Sequence, residues 1–366
     1  MQLTRIIALT GLLPLLASAV AAADPSAGKT VKAPAPVAAK RAPAAAAPLP
    51  EQKGATPAAK AADGKQADKK DAKDKKPKIL ARSLFGKSMS AADLTPRSIG
   101  WYAKGCLAGG VHLADAGPDW QTMRPSRNRA WGHPKLIALL QRFAADAKKG
   151  GWPGLLVGDI SQPRGGPMLT GHASHQVGLD ADIWLTPMPN RILTRKERES
   201  IEATSMLDKT SLSVDPKVFS AAQVALIKRA ATYPQVERVF VHPAIKKALC
   251  QAAGKDRAWL YKVRPIWGHY YHFHIRIGCP NAGCEIQPAV KDDDGCGKEL
   301  TNWLTLVEKS LKAPPPKPGV KIVPDSERRQ ITMEQLPAEC KVVLNSPGAP
   351  LPADEAMAAT PTAATK

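Results

Sequence analysis

All six cysteines of this 366-residue chain, Cys106, Cys250, Cys279, Cys284, Cys296 and Cys340, lie in the stretch between Ser83 and Leu344. An even count becomes a disulfide framework only in an oxidising compartment, and six thiols allow fifteen pairings. The N-terminus supplies that compartment. Met1 to Ala23 carries Arg5, an apolar run from Ile6 to Leu16 and the small-residue ending Ala19-Val20-Ala21-Ala22-Ala23, the three parts of a cleavable export signal. The apolar run is short for a membrane span and nothing later in the chain is longer, so no integral span is expected. A cysteine-based zinc site is the rival use of the thiols, but no Cys-x-x-Cys pair is present.

Composition divides the rest. Residues 24–82 are mostly Ala, Pro, Lys and Asp, with too few large apolar side chains to offset the entropy of ordering, and read as a disordered linker. An Ala/Pro-rich tail is expected over 345–366, which leaves 83–344 as one folded domain with a sizeable core. The formal net charge of +20 raises the question of nucleic acid, but export argues against it and part of the excess sits in the Lys-rich linker. An anionic envelope polymer or membrane surface is the better electrostatic partner.

Within 83–344, the Gly, Pro and Asp punctuation from Ser98 to Pro125 suggests short strands and loops. Pro134, then Leu136, Leu139, Leu140 and Phe143 at helical spacing, then Gly150-Gly151, predict a helix. Leu155–Ile160 reads as a buried strand and Pro163-Arg164-Gly165-Gly166-Pro167 as a glycine-rich loop, with Arg164, Gly165 and Gly166 as candidate substrate-binding residues. Helices are expected over Thr194–Leu207, Ser220–Ala231 and up to Leu249, with a strand over Val236–Val241. A capping box at Thr332-Met333-Glu334-Gln335 predicts a terminal helix ending near Cys340. Strands and helices without regular alternation predict an α+β domain with a central, largely antiparallel sheet flanked by helices and loops.

Five of the eight histidines fall in two windows, Gly171-His172-Ala173-Ser174-His175-Gln176-Val177-Gly178-Leu179-Asp180-Ala181-Asp182 and Gly268-His269-Tyr270-Tyr271-His272-Phe273-His274. Strand alternation puts His272, His274 and Arg276 on one face and Phe273, Ile275 and Ile277 on the other. In the first window, Asp180, Asp182 and Trp184 share a face opposite Ala181, Ile183 and Leu185. Imidazole with carboxylate suits zinc, and three ligands, His175, Asp182 and His274, leave a fourth position for water, which is the pattern of a catalytic ion. No His-Glu-x-x-His helix offers a glutamate base, so His272, two residues before a ligand, is the candidate proton acceptor. His269 and His172 are candidates for stabilising an oxyanion or orienting that base. Asp159 and Asp180 read equally as partners of ligands or as buried structural carboxylates. The isolated His112, His133 and His242 read as surface, capping or core residues.

The His-x6-Asp pattern with a later His-x-His resembles the group that unites lysostaphin-type peptidases, D-alanyl-D-alanine peptidases and the hedgehog signalling domain. More closely, Gly158-Asp159-Ile160-Ser161-Gln162-Pro163, the block from Gly171 to Asp180 and Trp267-Gly268-His269-Tyr270-Tyr271-His272-Phe273-His274 resemble the penicillin-insensitive murein endopeptidase family. The likeness runs from about Ser98 to Cys340. It implies a periplasmic zinc endopeptidase that cuts D-alanyl to meso-diaminopimelate cross-links in peptidoglycan. It carries over His175, Asp182 and His274 as zinc ligands, His272 as base, and His269 with His172 as further active-site residues. It also implies disulfides joining Cys106 to Cys340, Cys250 to Cys296 and Cys279 to Cys284. Family members can hold a second zinc at a subunit interface through an aspartate and a histidine between the two halves of the site, but no histidine occurs here between His175 and His242. One Zn2+ is therefore expected, and the oligomeric state is left open. Two other functions fit the same residues: a D-alanyl-D-alanine carboxypeptidase, and a zinc-dependent cell-wall binding module without catalysis.

Overall fold

The computed structural model describes residues 79–290, 293–314 and 330–350. The expected export signal, most of the linker and the chain after residue 350 lie outside the described residues. Elements follow in the order α1 (Ala81–Phe85), β1 (Arg97–Trp101), β2 (Lys104–Ala108), β3 (Val111–His112), β4 (Ala116–Gly117), β5 (Trp120–Thr122), β6 (Trp131–Gly132), α2 (Pro134–Lys149), β7 (Leu155–Val157) and β8 (Asp180–Trp184). Then come α3 (Arg195–Ser200), α4 (Ala221–Thr232), β9 (Val236–Val241), α5 (Pro243–Ala252), β10 (Val263–Pro265), β11 (His272–Ile277), α6 (Lys298–Lys312) and α7 (Glu339–Asn345).

The architecture is α+β around a seven-stranded sheet in the order β10-β9-β11-β8-β7-β5-β4. The sheet is mixed: four of its six pairings are antiparallel, as expected of a largely antiparallel sheet, and two are parallel. β9 with β10 and β5 with β7 are parallel, while the central pairs around β11 and β8 are antiparallel. Helices explain the difference. Helix α5 lies between β9 and β10 in the chain, and α2 between β5 and β7; a helical crossover returns the chain in the same direction.

Both crossover helices start the same way, on a His-Pro pair. His133 and His242 accept the backbone N–H two residues on through Nδ1, and Pro134 and Pro243 sit where no amide is needed. These isolated histidines are helix caps. Helix α2 buries Leu136, Ile137, Leu139, Leu140, Phe143, Ala144 and Ala147 against Ala181, Ile183, Leu185, Phe273, Ile275 and Ile277, the inward faces of β8 and β11. The opposite faces of those two strands are left to the polar residues.

Two expected helices are shorter than the pattern suggests. Helix α3 stops at Ser200 instead of Leu207, because the following backbone is used elsewhere: the Thr204 amide bonds Thr186 Oγ1 and the Met206 amide bonds the Tyr270 carbonyl, burying Met206 in the core. The Thr332 capping box forms, but closes a single 3-10 turn, Met333–Gln335. Pro337 disfavours a helical Leu336, and the helix that carries Cys340 starts afresh as α7. Helix α6, which the sequence reading passes over, repeats Leu300, Trp303 and Val307 at helical spacing; it buries Leu300 and Val307 and sets Trp303 edge-on to Trp267.

A second, smaller core joins the two ends of the described chain. Ala81 and Phe85 of α1 pack with Cys106, Met333, Leu336, Cys340 and Val343. The Ala81 amide bonds the Ile331 carbonyl and Ala92 bridges Gly348, so folded structure extends on both sides of the expected 83–344 boundaries. Disulfides join Cys106 to Cys340, Cys250 to Cys296 and Cys279 to Cys284, the pairing the family resemblance implies.

Candidate metal centre

The polar faces of β8 and β11 meet in register. His274 stands directly opposite Asp182 and Arg276 directly opposite Asp180, so the two strands present a histidine–carboxylate pair and an arginine–carboxylate pair side by side. His175 completes the cluster from the loop before β8, where it adopts a left-handed backbone at φ 66. Non-glycine residues rarely rest there, and such strain concentrates at functional sites.

Hydrogen bonds behind the cluster set the tautomers. His175 Nδ1 is 2.6 Å from the Ile160 carbonyl and must donate to it, which leaves Nε2 with a lone pair. His274 Nε2 is 2.8 Å from Asp180 Oδ1 and donates there, which leaves Nδ1 with a lone pair. Those two lone pairs face each other across 3.1 Å. Asp182 Oδ1 lies 3.5 Å from His175 Nε2 and 3.4 Å from His274 Nδ1, and is buried with no hydrogen-bond partner among the described residues. In these tautomers three acceptor atoms converge on one point, an arrangement that a bound cation satisfies. Ligand atoms about 2.0–2.1 Å from a tetrahedral ion stand about 3.3 Å from one another. The observed triangle of 3.1, 3.4 and 3.5 Å fits that spacing.

The remaining histidines surround Asp182. His172 Nε2 lies 3.0 Å from Asp159 Oδ2 and 3.5 Å from Asp182 Oδ2. His272 Nε2 lies 3.6 Å from Asp182 Oδ2, and its buried Nδ1 has no partner among the described residues. The His269 ring is 4.8 Å from that of His272, with Nδ1 2.7 Å from the Trp267 carbonyl and a left-handed backbone at φ 54. Among the described residues, the groupings of His172, His175 and Asp182 and of Asp182, His269 and His272 both bring ligand atoms within 4.8 Å, with Asp182 shared.

Electrostatics follow from this crowding. Burial alone would raise the Asp182 carboxyl, but His272, His175 and His172 hold it well below the usual carboxylate range. Burial pushes His272 down to about 4, with Asp182 opposing and the neighbouring imidazoles adding to the drop. His269 is likewise lowered, first by burial and then by His272 and His274. His172 moves up: burial opposes, but Asp182 and Asp159 outweigh it.

The backing residues are only partly legible in the sequence. Asp180 is fully buried and accepts from His274 Nε2, from Arg276 Nε at 2.6 Å and from the His175 amide at 3.0 Å. The Arg276 guanidinium stacks 3.9 Å from the centroid of Tyr102. The alternation His-x-His-x-Arg signals Arg276, but nothing near Tyr102 signals its part. Asp159 takes hydrogen bonds from Arg129 at 2.9 Å and Arg127 at 3.2 Å besides its contact with His172, and neither arginine stands out in the chain.

The structure places Arg164, Gly165 and Gly166 in packing positions. The buried Arg164 guanidinium donates to the carbonyls of Val343, Leu344 and Ser346, at 2.7–2.9 Å, and to that of Ser90 at 3.2 Å, stapling the C-terminal helix to the body. A Cβ on Gly166, at φ 75, would lie 2.2 Å from the Phe85 ring, and one on Gly165, at φ 64, would lie 2.1 Å from the Gln176 carbonyl oxygen.

With this geometry in hand, comparison with known proteins is informative. A family model described as penicillin-insensitive murein endopeptidase matches residues 98–345. The chain belongs to that family. A penicillin-insensitive murein endopeptidase of Haemophilus influenzae is 43% identical over 255 residues, covering 68% of this chain and 82% of that protein. Counterparts of the same name from Pectobacterium atrosepticum, 41% identical over 253 residues, and Yersinia enterocolitica, 40% over 230 residues, cover 69% and 61% of this chain and 85% and 83% of their own lengths. All the candidate site residues fall inside the matched region. The linker lies before it, so the resemblance speaks for the folded part of the chain alone.

Proposed function

We propose that the protein is an exported zinc endopeptidase of the periplasm that hydrolyses D-alanyl to meso-diaminopimelate cross-links in peptidoglycan. The observation that carries this reading is the convergence of His175 Nε2, His274 Nδ1 and Asp182 Oδ1, three ligand-type atoms at 3.1–3.5 Å in a family of murein endopeptidases. Borderline-soft nitrogen and carboxylate donors in a tetrahedral triangle suit zinc, which when bound supplies Lewis acidity and lowers the pKa of water.

The protein's own residues then have distinct tasks. His272 is buried beside Asp182 with an unengaged Nδ1, and as the base it receives the proton of the attacking water and returns it to the leaving amine. His269 gives its Nδ1 proton to the Trp267 carbonyl, so its Nε2 is an acceptor; that suits orienting His272 better than stabilising an oxyanion. His172, pulled towards its charged form by two carboxylates, acts as the donor of the set. Asp180 and Asp159 hold His274 and His172 in their tautomers.

Elemental analysis of the purified protein together with digestion of cross-linked muropeptides tests the reading. One zinc per chain and conversion of dimeric muropeptides to monomers are expected. Release of terminal D-alanine alone would make the protein a carboxypeptidase, and zinc binding with neither reaction would make it a binding module. A His272→Ala variant with full activity would remove the assigned base.

A further inference from the structure

Beside the metal centre the chain builds a second feature from Arg124 to Asn128. A 3-10 turn, Pro125–Arg127, is bracketed by two left-handed residues, Arg124 at φ 60 and Asn128 at φ 50. Two strained residues in five need firm support, and the surroundings provide it. The Asn128 side chain accepts from Trp131 Nε1 at 2.7 Å and donates to the Met89 carbonyl at 3.1 Å, while the Glu199 carboxylate takes both the amide and the hydroxyl of Ser126. The turn forms one wall of a cavity of about 250 Å³, whose other walls include His112, Trp131, Arg129 and Arg195.

Charge at this cavity is unbalanced. Arg129 and Arg127 share the single carboxylate of Asp159, and Arg198 pairs with Asp115. Arg124 and Arg195 have no ion pair among the described residues: Arg124 donates only to the backbone carbonyls of Arg198 and Glu199, and Arg195 is exposed at the start of α3 with no side-chain hydrogen bond. The cavity walls therefore carry Arg124, Arg129 and Arg195 against the one carboxylate of Asp115, which Arg198 already pairs at 2.6 Å, so positive charge is in excess there. The planar forks of guanidinium groups match a carboxylate.

The cavity is tied to the metal centre at two points. Arg129, which lines it, donates to the Asp159 oxygen that also contacts His172. Arg124 lies over the ring of Trp184 at 5.2 Å, and Trp184 is two residues from Asp182 on the same face of β8. The cavity and the candidate metal centre thus share the Asp159 network and adjoin the same face of β8.

We propose that this cavity is a carboxylate subsite, in which Arg195 and Arg124 grip a free carboxylate of the cross-linked stem peptide. The inference rests on the murein-endopeptidase reading above. A γ-linked glutamyl residue and a diaminopimelyl residue each leave a free carboxylate near the scissile bond, and both carry the chemistry the cavity recognises.

The test is a double-substitution cycle on the full-length, zinc-loaded protein, using cross-linked muropeptide dimers unmodified, amidated at the diaminopimelyl carboxylate, or amidated at the glutamyl carboxylate. Arg195→Gln is the variant, since the side chain is exposed and makes no hydrogen bond or ion pair among the described residues. Amidating one of the two carboxylates is expected to lower kcat/KM roughly tenfold, mainly through KM, and Arg195→Gln to give the same loss on the unmodified dimer with no further loss on that amidated one. The amidation that matters identifies the carboxylate. Equal turnover of all three dimers by the native protein, or losses that simply multiply, would overturn the subsite while leaving the endopeptidase reading intact. Should no dimer be cleaved, that reading falls, and calorimetric binding of an uncleavable glutamyl-diaminopimelyl peptide decides the cavity separately. Weaker binding to Arg195→Gln supports the subsite, and equal binding refutes it.

Discussion

Asp180→Asn is the sharpest probe of how the fold holds the metal centre. The substitution keeps the shape of the side chain and changes one oxygen to NH2. Every partner of Asp180 is a donor: His274 Nε2–H at 2.8 Å, Arg276 Nε at 2.6 Å and Nη2 at 3.4 Å, and the His175 amide at 3.0 Å. An amide group can therefore face none of them without setting donor against donor. It also leaves the buried Arg276 without its carboxylate, and removing one partner of a buried ion pair costs about 3–5 kcal/mol. The stacking of Arg276 between Tyr102 and Phe240 keeps the cation in place and so does not relieve this cost. Two of the three proposed ligands lose their support at the same time, His274 through its ring and His175 through its backbone. Loss of such an outer partner typically weakens metal affinity about 10–100-fold, equivalent to about 1.4–2.8 kcal/mol. Urea unfolding of the metal-free protein measures the first effect and competition with a zinc chelator measures the second. Zinc affinity within twofold of the native protein, together with unfolding within about 1 kcal/mol, would show that Asp180 does not organise the site.

Three other outcomes are expected. His242 is pushed down to about 4 by burial, so between pH 6.5 and 4 the unfolded chain binds a proton that the folded one refuses, and stability falls as the pH drops through that window. His242→Asn keeps a good helix cap and should remove up to roughly 3 kcal/mol of that pH dependence in thermal melts at pH 7 and pH 4; an unchanged difference refutes the assignment. Arg164→Met strands four carbonyls and should cost about 2–4 kcal/mol in urea unfolding while zinc content stays the same; loss of zinc would place Arg164 in the site after all. Chelation should abolish hydrolysis and lower the melting temperature yet preserve the far-ultraviolet dichroism, because a large apolar core and three disulfides hold the chain; cooperative unfolding on chelation alone would contradict this.

Most of the central site is legible in the residues because strand alternation is a local rule. His272, His274 and Arg276 on one face of β11, and Asp180 and Asp182 on one face of β8, follow from a period of two, and the buried apolar partners on the opposite faces fix which side is which. Helix α2 is equally plain, since its apolar spacing and its His-Pro start are encoded within a few residues. The same local character explains the errors. The Thr194 and Thr332 starts are real capping boxes, but where each helix ends was settled by distant backbone partners in one case and by a proline in the other.

What the sequence determined by itself was a set of faces: which side chains share a side of a strand, which ends of helices are capped, and which thiols are available. Tertiary structure decided how those faces meet. The register of β8 against β11 sets Asp182 opposite His274, and the loop before β8 delivers His175 to the same point, so the candidate metal triangle forms only once strands some ninety residues apart have paired. The supporting carboxylates, the arginine-lined cavity and the parallel pairs in the sheet depend likewise on long-range packing. Local spacing determines direction along one element, and the separation between elements is set only when the core between them is buried.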